Sequence, residues 1–154
     1  MTSAAIILAT MQLFPTCWAE RHDERKTLQY ETIAQAIADE SNGPDEAAAL
    51  IAIGYSESTF ALSVHTGTRK GPASGLWQLE GRGVFVGLSL EDTRRSARAA
   101  LHAWRTSWQC GRSFSARITA YAGLSCGTRW AGLAVRERRF RFAQFSIWKK
   151  EQLN

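Results

Sequence analysis

Glu57 is the residue of this 154-residue chain that most needs a chemical explanation. It follows the apolar segment 47–55, which has the composition of a helix buried on most sides. A carboxyl group in an apolar setting stays protonated near neutral pH and can give its proton to a leaving oxygen. Tyr55 and Phe60 flank Glu57 and are expected to provide that setting. The alternative is a surface glutamate at a helix C-terminus, which the helix dipole slightly disfavours.

The segments around Glu57 predict a mostly helical domain. Pro44, followed by Asp45 and Glu46, is typical of a helix start, and Gly43 before it ends the previous helix. Ser89 resembles an N-cap, with Asp92 three residues later. On these signals and the spacing of apolar residues, we predict helices over 27–41, 44–55, 89–108, 115–123 and 133–147.

The segment 61–89 is rich in Gly, Ser and Thr and predicts loops with two or three short strands, such as 76–79 and 84–86. The chain contains no internal repeat and no linker. The expected fold class is therefore mostly α (α+β): residues 1–154 form one helical domain with a small, irregular, Gly-rich β wing.

Composition bounds the function. The hydrophobic content of 45% is enough for one core, and a formal charge of +5 favours an anionic partner, namely nucleic acid, lipid headgroups or a wall polymer. The three histidines have no metal-ligand spacing with one another or with the cysteines. We therefore predict no metal and no cofactor. These histidines are His22, His65 and His102.

The N-terminal twenty residues could be mistaken for a secretion signal, but no Lys or Arg precedes Arg21 and the expected cleavage triplet is poor. An amphipathic helix belonging to the fold, kinked at Pro15, is the favoured interpretation. Its stripe consists of Ala4, Ile7, Met11, Phe14 and Trp18. Cys17 is expected to be a packed thiol, whereas Cys110 and Cys126 fit a disulfide or two buried thiols equally well.

Two motifs, and a partial third, give the chain a recognisable pattern. The helix ends in Gly54-Tyr55-Ser56-Glu57-Ser58-Thr59-Phe60, and Ser74-Gly75-Leu76-Trp77-Gln78-Leu79 follows about twenty residues later. This ordered pair resembles the lysozyme-like superfamily, in the branch of soluble lytic transglycosylases and goose-type lysozymes. Ala120-Tyr121-Ala122-Gly123 is similar to a third motif, Ala-Tyr-Asn-Ala-Gly, without its Asn. The resemblance is strongest over residues 45–125.

The resemblance implies a lysozyme-like domain that cleaves the MurNAc-GlcNAc β-1,4 bond of peptidoglycan, with Glu57 as the catalytic acid and base. It also implies substrate contacts for Ser74, Gln78 and Tyr121. Tyr121 could hydrogen-bond either Glu57 or the sugar, or it could equally be a half-buried helix residue. Trp77 is expected either to line the cleft or to pack in the core. The glycan strands of peptidoglycan are the implied partner, and a monomer is expected.

The second carboxylate distinguishes the two reactions. A lytic transglycosylase needs only Glu57, because the sugar's own 6-hydroxyl closes a 1,6-anhydro ring. An inverting muramidase needs another carboxylate to activate water, about 6.5–9.5 Å from the first. Glu80 stands where the resemblance places an Asp in goose-type lysozymes. The alternative is that Glu80 is an ordinary exposed residue at a strand end that forms an ion pair with Arg82. We therefore favour the transglycosylase and keep the hydrolase open.

Two other classes of function remain. A non-catalytic wall-binding module on the same scaffold is consistent with the missing Asn, since a fold does not guarantee its chemistry. A nucleic-acid binder is disfavoured because the sequence has no helix-turn-helix or single-strand motif. The basic C-terminus is expected to be a docked helix whose Arg stems cover Trp and Phe faces. The alternative is a cationic patch that holds the protein on an anionic wall or outer-membrane surface.

Peptidoglycan cleavage would take place in the periplasm or outside the cell. Without a convincing signal peptide, the protein is expected to reach the wall by lysis, dedicated secretion or virion delivery. By resemblance, such a domain suits a phage-encoded lysin or another bacteriolytic enzyme.

Overall fold

The computed structural model describes residues 2–16, 23–60, 65–68, 71–74, 76–80 and 89–154, with the side chains of 65–68, 71–74 and Glu80 left aside. The described part is mostly helical, as predicted. Its α-helices are α1 Ala4–Met11, α2 Glu24–Glu40, α3 Pro44–Ser58, α4 Leu90–Arg105, α5 Phe114–Tyr121 and α6 Leu133–Leu153. A 3-10 helix, Ser107–Cys110, follows α4.

Helix α3 is the centre of the core. Its residues from Ala47 to Gly54 are all buried, as the apolar composition predicts. Helix α6 lies along it, while α2 packs between α1 and α4. Because α3 is covered on most sides, the side chains at its C-terminal end are held in a fixed position by the surrounding helices.

The helices begin and end close to the predicted residues, and the differences have local causes. Helix α2 begins earlier than expected because Asp23 caps it, accepting a hydrogen bond from the Arg25 N–H at 2.9 Å. Ser89 caps α4 as predicted, accepting from the Asp92 N–H. Helix α6 continues past Ile147 to Leu153, since its last turns consist of residues with good helix propensity.

Helix α1 is shorter than the predicted amphipathic helix, ending at Met11 before the expected kink at Pro15. Ile7, Met11 and Phe14 are nevertheless buried in the core, so the predicted stripe does face inward. The predictions for Cys17 and Trp18 lie outside the described residues.

The wing contains a small antiparallel sheet in the order β1 His65–Thr68, β2 Gly71–Ser74 and β3 Leu79–Glu80. Ser74 pairs with His65 on one side and with Leu79 on the other. The predicted strand over 76–79 is wrong except at its last residue, because 76–78 form a turn in which Gln78 has a φ of 49°. The predicted strand over 84–86 lies outside the described residues.

The two cysteine alternatives are decided in favour of a disulfide. Cys110 and Cys126 are bonded, with a Cα–Cα distance of 5.0 Å. The bond joins the 3-10 helix to the loop that follows α5, and Cys126 is exposed rather than packed. No described helix is both long and apolar enough to cross a membrane.

Ion pairs with arginines of α4 anchor both α2 and α3. Glu40 contacts Arg98 at 2.8 Å and Arg94 at 3.1 Å, and Glu46 contacts Arg105 at 2.7 Å. Hydrogen bonds from Arg98 hold the pKa of Glu40 below its ordinary value, and those from Arg105 do the same for the pKa of Glu46. These carboxylates therefore stabilise the folded state above their unfolded pKa.

We expect this stabilisation to be lost in acid, as the pH falls from the unfolded pKa through the lower folded pKa values. Thermal midpoints measured at a series of pH values from about 7 to 3 should fall more steeply for the wild type than for Glu40→Gln or Glu46→Gln. Glu31→Gln, which removes the same charge from the exposed side of α2, is the control. If the thermal midpoints of all four proteins fell equally with pH, the ion pairs of Glu40 and Glu46 would not be the source of the stabilisation.

Candidate functional site

The C-terminal end of α3 is tied by its last residue to the turn that precedes β3. The buried Ser58 hydroxyl lies 2.9 Å from the Leu76 carbonyl and 3.0 Å from the Gly54 carbonyl. Thr59 and Phe60 follow with positive φ values of 52° and 61°. The first two sequence motifs are therefore in direct contact, although eighteen positions separate Ser58 from Leu76.

The turn 76–78 is anchored in the core by Trp77. Its indole Nε1 donates to the Leu50 carbonyl at 2.9 Å, and its side chain is 1% exposed. Of the two predicted roles for Trp77, the structure therefore supports core packing and not a place on the cleft wall. Gly54 permits the approach, because a Cβ there would lie 3.2 Å from the Trp77 Nε1.

The third motif joins the same cluster through Tyr121 on α5. Its hydroxyl donates to the Trp77 carbonyl at 3.1 Å. Tyr121 thus orients the turn that carries Gln78, which is partly exposed. A direct hydrogen bond between Tyr121 and Glu57, one of the predicted roles, is not among those that the structure describes.

Glu57 lies in a different setting from the predicted apolar one. Its Oε1 accepts a hydrogen bond from Arg136 Nη2 at 2.8 Å, and its side chain is 24% exposed. Phe60 is fully buried, and the Tyr55 ring lies against Phe14 and Phe60, so these rings belong to the core. The group in contact with the carboxylate is a guanidinium.

The sequence reasoning missed Arg136 and Arg139 as site residues. The Arg136 guanidinium stacks 4.8 Å from the Trp130 ring centroid, and its buried Nε has no hydrogen-bond partner among the described residues. Arg139 donates to the Ser56 hydroxyl at 3.0 Å. A run of arginines does not reveal which two face α3, because that depends on the rotation of α6 about its axis.

Arg139 lies over the Tyr55 ring, with its guanidinium carbon 4.7 Å from the ring centroid. Burial lowers the pKa of Arg139 from its ordinary value, and the neighbouring Arg136 and Arg138 lower it further, although it stays protonated at neutral pH. The prediction that arginines of this helix cover Trp and Phe faces is met only in part, because Arg136 lies over Trp130 while Arg139 lies over a tyrosine. Two partly buried cations also end at residues 56 and 57, where an anionic ligand could bind.

Ser74 and Glu80 are the end residues of β2 and β3. Ser74 pairs with Leu79, and Glu80 pairs with Ala73, so both residues are close in the sheet to the turn 76–78. The substrate contact predicted for Ser74 and the carboxylate separation predicted for Glu57 and Glu80 depend on side chains outside the described set. The described residues contain no group of three or more His, Cys, Asp or Glu that could hold a metal ion.

A cavity of about 310 Å³ lies at the other end of α6, where it meets α1. Lys150, which lines it, is fourteen residues along the helix from Arg136, or about 20 Å at 1.5 Å per residue. The cavity therefore does not surround the Glu57 carboxyl group. Its lining consists of Ser3, Ala5, Ile6, Ala9, Lys150, Leu153 and Asn154.

No protein-family model matches the chain, and neither a curated protein nor a solved structure matches it at a significant level. The resemblance to the lysozyme-like superfamily therefore rests on the three short motifs.

Proposed function

We propose that this protein is a lysozyme-like glycosidase that cleaves the MurNAc-GlcNAc β-1,4 bond of peptidoglycan, with Glu57 as general acid and base. The observation that carries the proposal is the convergence of three separated segments. Ser58 contacts Leu76, and Tyr121 contacts Trp77. These are the segments in which the resemblance to lytic transglycosylases lies, and a shared site requires them to meet.

The backbone of the same cluster supports a functional role. Thr59, Phe60 and Gln78 are the three non-glycine residues with positive φ in the described part of the chain. Such conformations cost of order 1–3 kcal/mol each and tend to occur at active sites and ligand clamps. All three border Glu57 or the turn bonded to its helix, so the strain lies where the proposed chemistry takes place.

The favoured reaction is that of a lytic transglycosylase. Glu57 gives its proton to the glycosidic oxygen as the bond from that oxygen to C1 of MurNAc breaks. The carboxylate then accepts the proton of the 6-hydroxyl, whose oxygen bonds to C1 and closes the 1,6-anhydro ring. Glu57 ends with the proton that it began with, and no water is consumed.

The ion pair with Arg136 adds a step before proton donation. In the structure the Glu57 Oε1 accepts a hydrogen bond from Arg136, whereas the catalytic acid must point its proton at the glycosidic oxygen. Arg136 and Arg139 can bind an anionic group of the wall polymer, which would compete with Glu57 for the Arg136 guanidinium. Substrate binding would then release Glu57 from Arg136 and leave its carboxyl group free to face the glycosidic oxygen.

Two alternatives differ in what happens to the glycan. An inverting muramidase would use Glu80 to position water, and the pairing of Glu80 beside the turn 76–78 favours this version. A wall-binding module would bind without cleavage. Two observations favour the binding module. The Arg136 guanidinium is bound to the carboxyl group of the proposed acid, Glu57, and the Trp77 side chain beside Gln78 is buried in the core and does not face a substrate.

Mass spectrometry of the soluble products from purified peptidoglycan tests these reactions. Anhydro-muramyl products, one water lighter than reducing ends, are the expected result. Reducing muramyl ends would instead establish the hydrolase and make Glu80 the next residue to replace. Binding to several wall types with no product from any of them would overturn the glycosidase and leave the binding module. In each case the protein would act at the bacterial cell wall.

A further inference from the structure

The outer side of α6 combines exposed aromatic rings with cations. At 100° per residue, the exposed side chains between Arg138 and Lys149 fall within about 120° of the helix circumference, opposite the buried Ala143 and Ile147. We call this set the outer α6 face; it consists of Arg138, Arg141, Phe142, Phe145, Trp148 and Lys149. We propose that the outer α6 face docks the protein on the surface of an anionic phospholipid bilayer.

Three large aromatic side chains on this face are exposed. Phe145 is 60% exposed and Trp148 is 56% exposed, and their ring centroids lie 6.0 Å apart. Phe142, 44% exposed, continues the patch to Phe14, whose ring it meets edge-on. Contiguous exposed apolar surface marks an interaction site, and tryptophan is favoured where water meets the lipid headgroups. The aromatic part of the face therefore suits the boundary between headgroups and acyl chains.

Cations border the aromatic rings. Arg138 and Lys149 are exposed, and neither has an acidic partner within 4 Å among the described residues. Arg141 is 75% exposed and contacts Glu137 at the margin of the face. The face itself carries no acidic residue. Each Lys or Arg near an anionic leaflet contributes about 1 kcal/mol to binding, so charge and apolar area act together.

The combination favours a bilayer over other anionic or apolar partners. A soluble polyanion such as DNA would neutralise the cations but leave the rings in water. A second copy of the chain would place like charges against each other. Because Ala143, Ser146 and Ile147 already pack against the protein, α6 would lie in the plane of the interface with its outer face in the headgroups. This inference does not depend on Glu57 or on the proposed function.

Vesicle co-sedimentation tests the proposal with the full chain. We expect tight binding to vesicles of equal parts phosphatidylglycerol and phosphatidylcholine and weak binding to phosphatidylcholine alone. Arg138→Gln/Lys149→Gln should weaken binding about thirtyfold, from about 1 kcal/mol for each lost charge. Phe145→Ser/Trp148→Ser should weaken it at least about tenfold, from the lost apolar burial. The control is Arg25→Gln/Arg129→Gln, which removes two exposed cations elsewhere and should bind nearly as the wild type does.

A second measurement does not depend on the double variants. Brominated phosphatidylglycerol should quench tryptophan emission of the wild type, and Trp148→Phe should lose most of that quenching. Equal binding to both vesicle types, or binding that neither double variant weakens, would overturn the proposal. Binding to duplex DNA without binding to vesicles would also overturn it and would assign the cations to a polyanion.

Discussion

Replacing Glu57 by glutamine is expected to reduce release of soluble wall fragments by at least about 100-fold. The amide has the shape of the carboxyl group but cannot deliver the proton that the leaving oxygen needs. Its oxygen can still accept a hydrogen bond from Arg136, which now donates to Glu57 at 2.8 Å. Because this pair is partly exposed, its loss should cost only about 1 kcal/mol, and the fold should remain intact.

The matched control is Glu46→Gln. Glu46 is also a partly buried glutamate bound by an arginine, Arg105, but it lies near the start of α3 and far from Ser58. This variant should lower the thermal midpoint while leaving the turnover of the folded protein unchanged. Wild-type turnover in Glu57→Gln would show that the catalytic acid is a different residue, whereas equal losses in both variants would indicate a general effect on stability.

Removal of the disulfide is expected to have the largest effect on stability. The bond between Cys110 and Cys126 closes a loop of sixteen positions, for which the entropic model gives about 3 kcal/mol. In a chain of this length each kcal/mol shifts the thermal midpoint by about 2–4 °C. Cys110→Ser/Cys126→Ser should therefore melt roughly 6–12 °C below the oxidised wild type.

Reduction of the wild type with a small dithiol is the independent check, because it should reproduce the midpoint of the double variant. A double variant that melts with the oxidised protein would contradict the prediction. The loop also contains α5, whose Tyr121 supports the turn at Trp77. Opening the disulfide is therefore expected to reduce wall cleavage before the whole protein unfolds.

Much of the helical fold could be predicted because its signals are local. Pro44 with its two following acidic residues, and the cap at Ser89, mark helix starts, and α3 and α4 begin where these signals indicate. The wing was less predictable. The apolar residues Leu76, Trp77 and Leu79 resemble a strand, but their side chains are buried through a turn that is bonded to Ser58. Alternation of residue types does not separate these two arrangements.

The candidate site likewise has one part that the sequence predicts and one part that it does not. Glu57 was identifiable from its position after an apolar helix, and the sequence pattern also indicated that Tyr121 belongs to the same region. The surroundings of the Glu57 side chain could not be predicted from the sequence. Arg136 is 79 positions away, and its contact with Glu57 depends on how α6 packs against α3. The local sequence around Glu57 is therefore compatible both with the predicted apolar surroundings and with the observed contact with a guanidinium.

The order of residue types was enough to predict which segments are helical, that α3 is buried on most sides, and that a glutamate stands near its C-terminal end. These properties follow from residue type and period along the chain. The folded structure was needed to show that Arg136 binds Glu57, that Cys110 and Cys126 form a disulfide, and that Phe145 and Trp148 face solvent. Each of these depends on contacts between distant elements, which are set by packing and have no signature in the local order of residues.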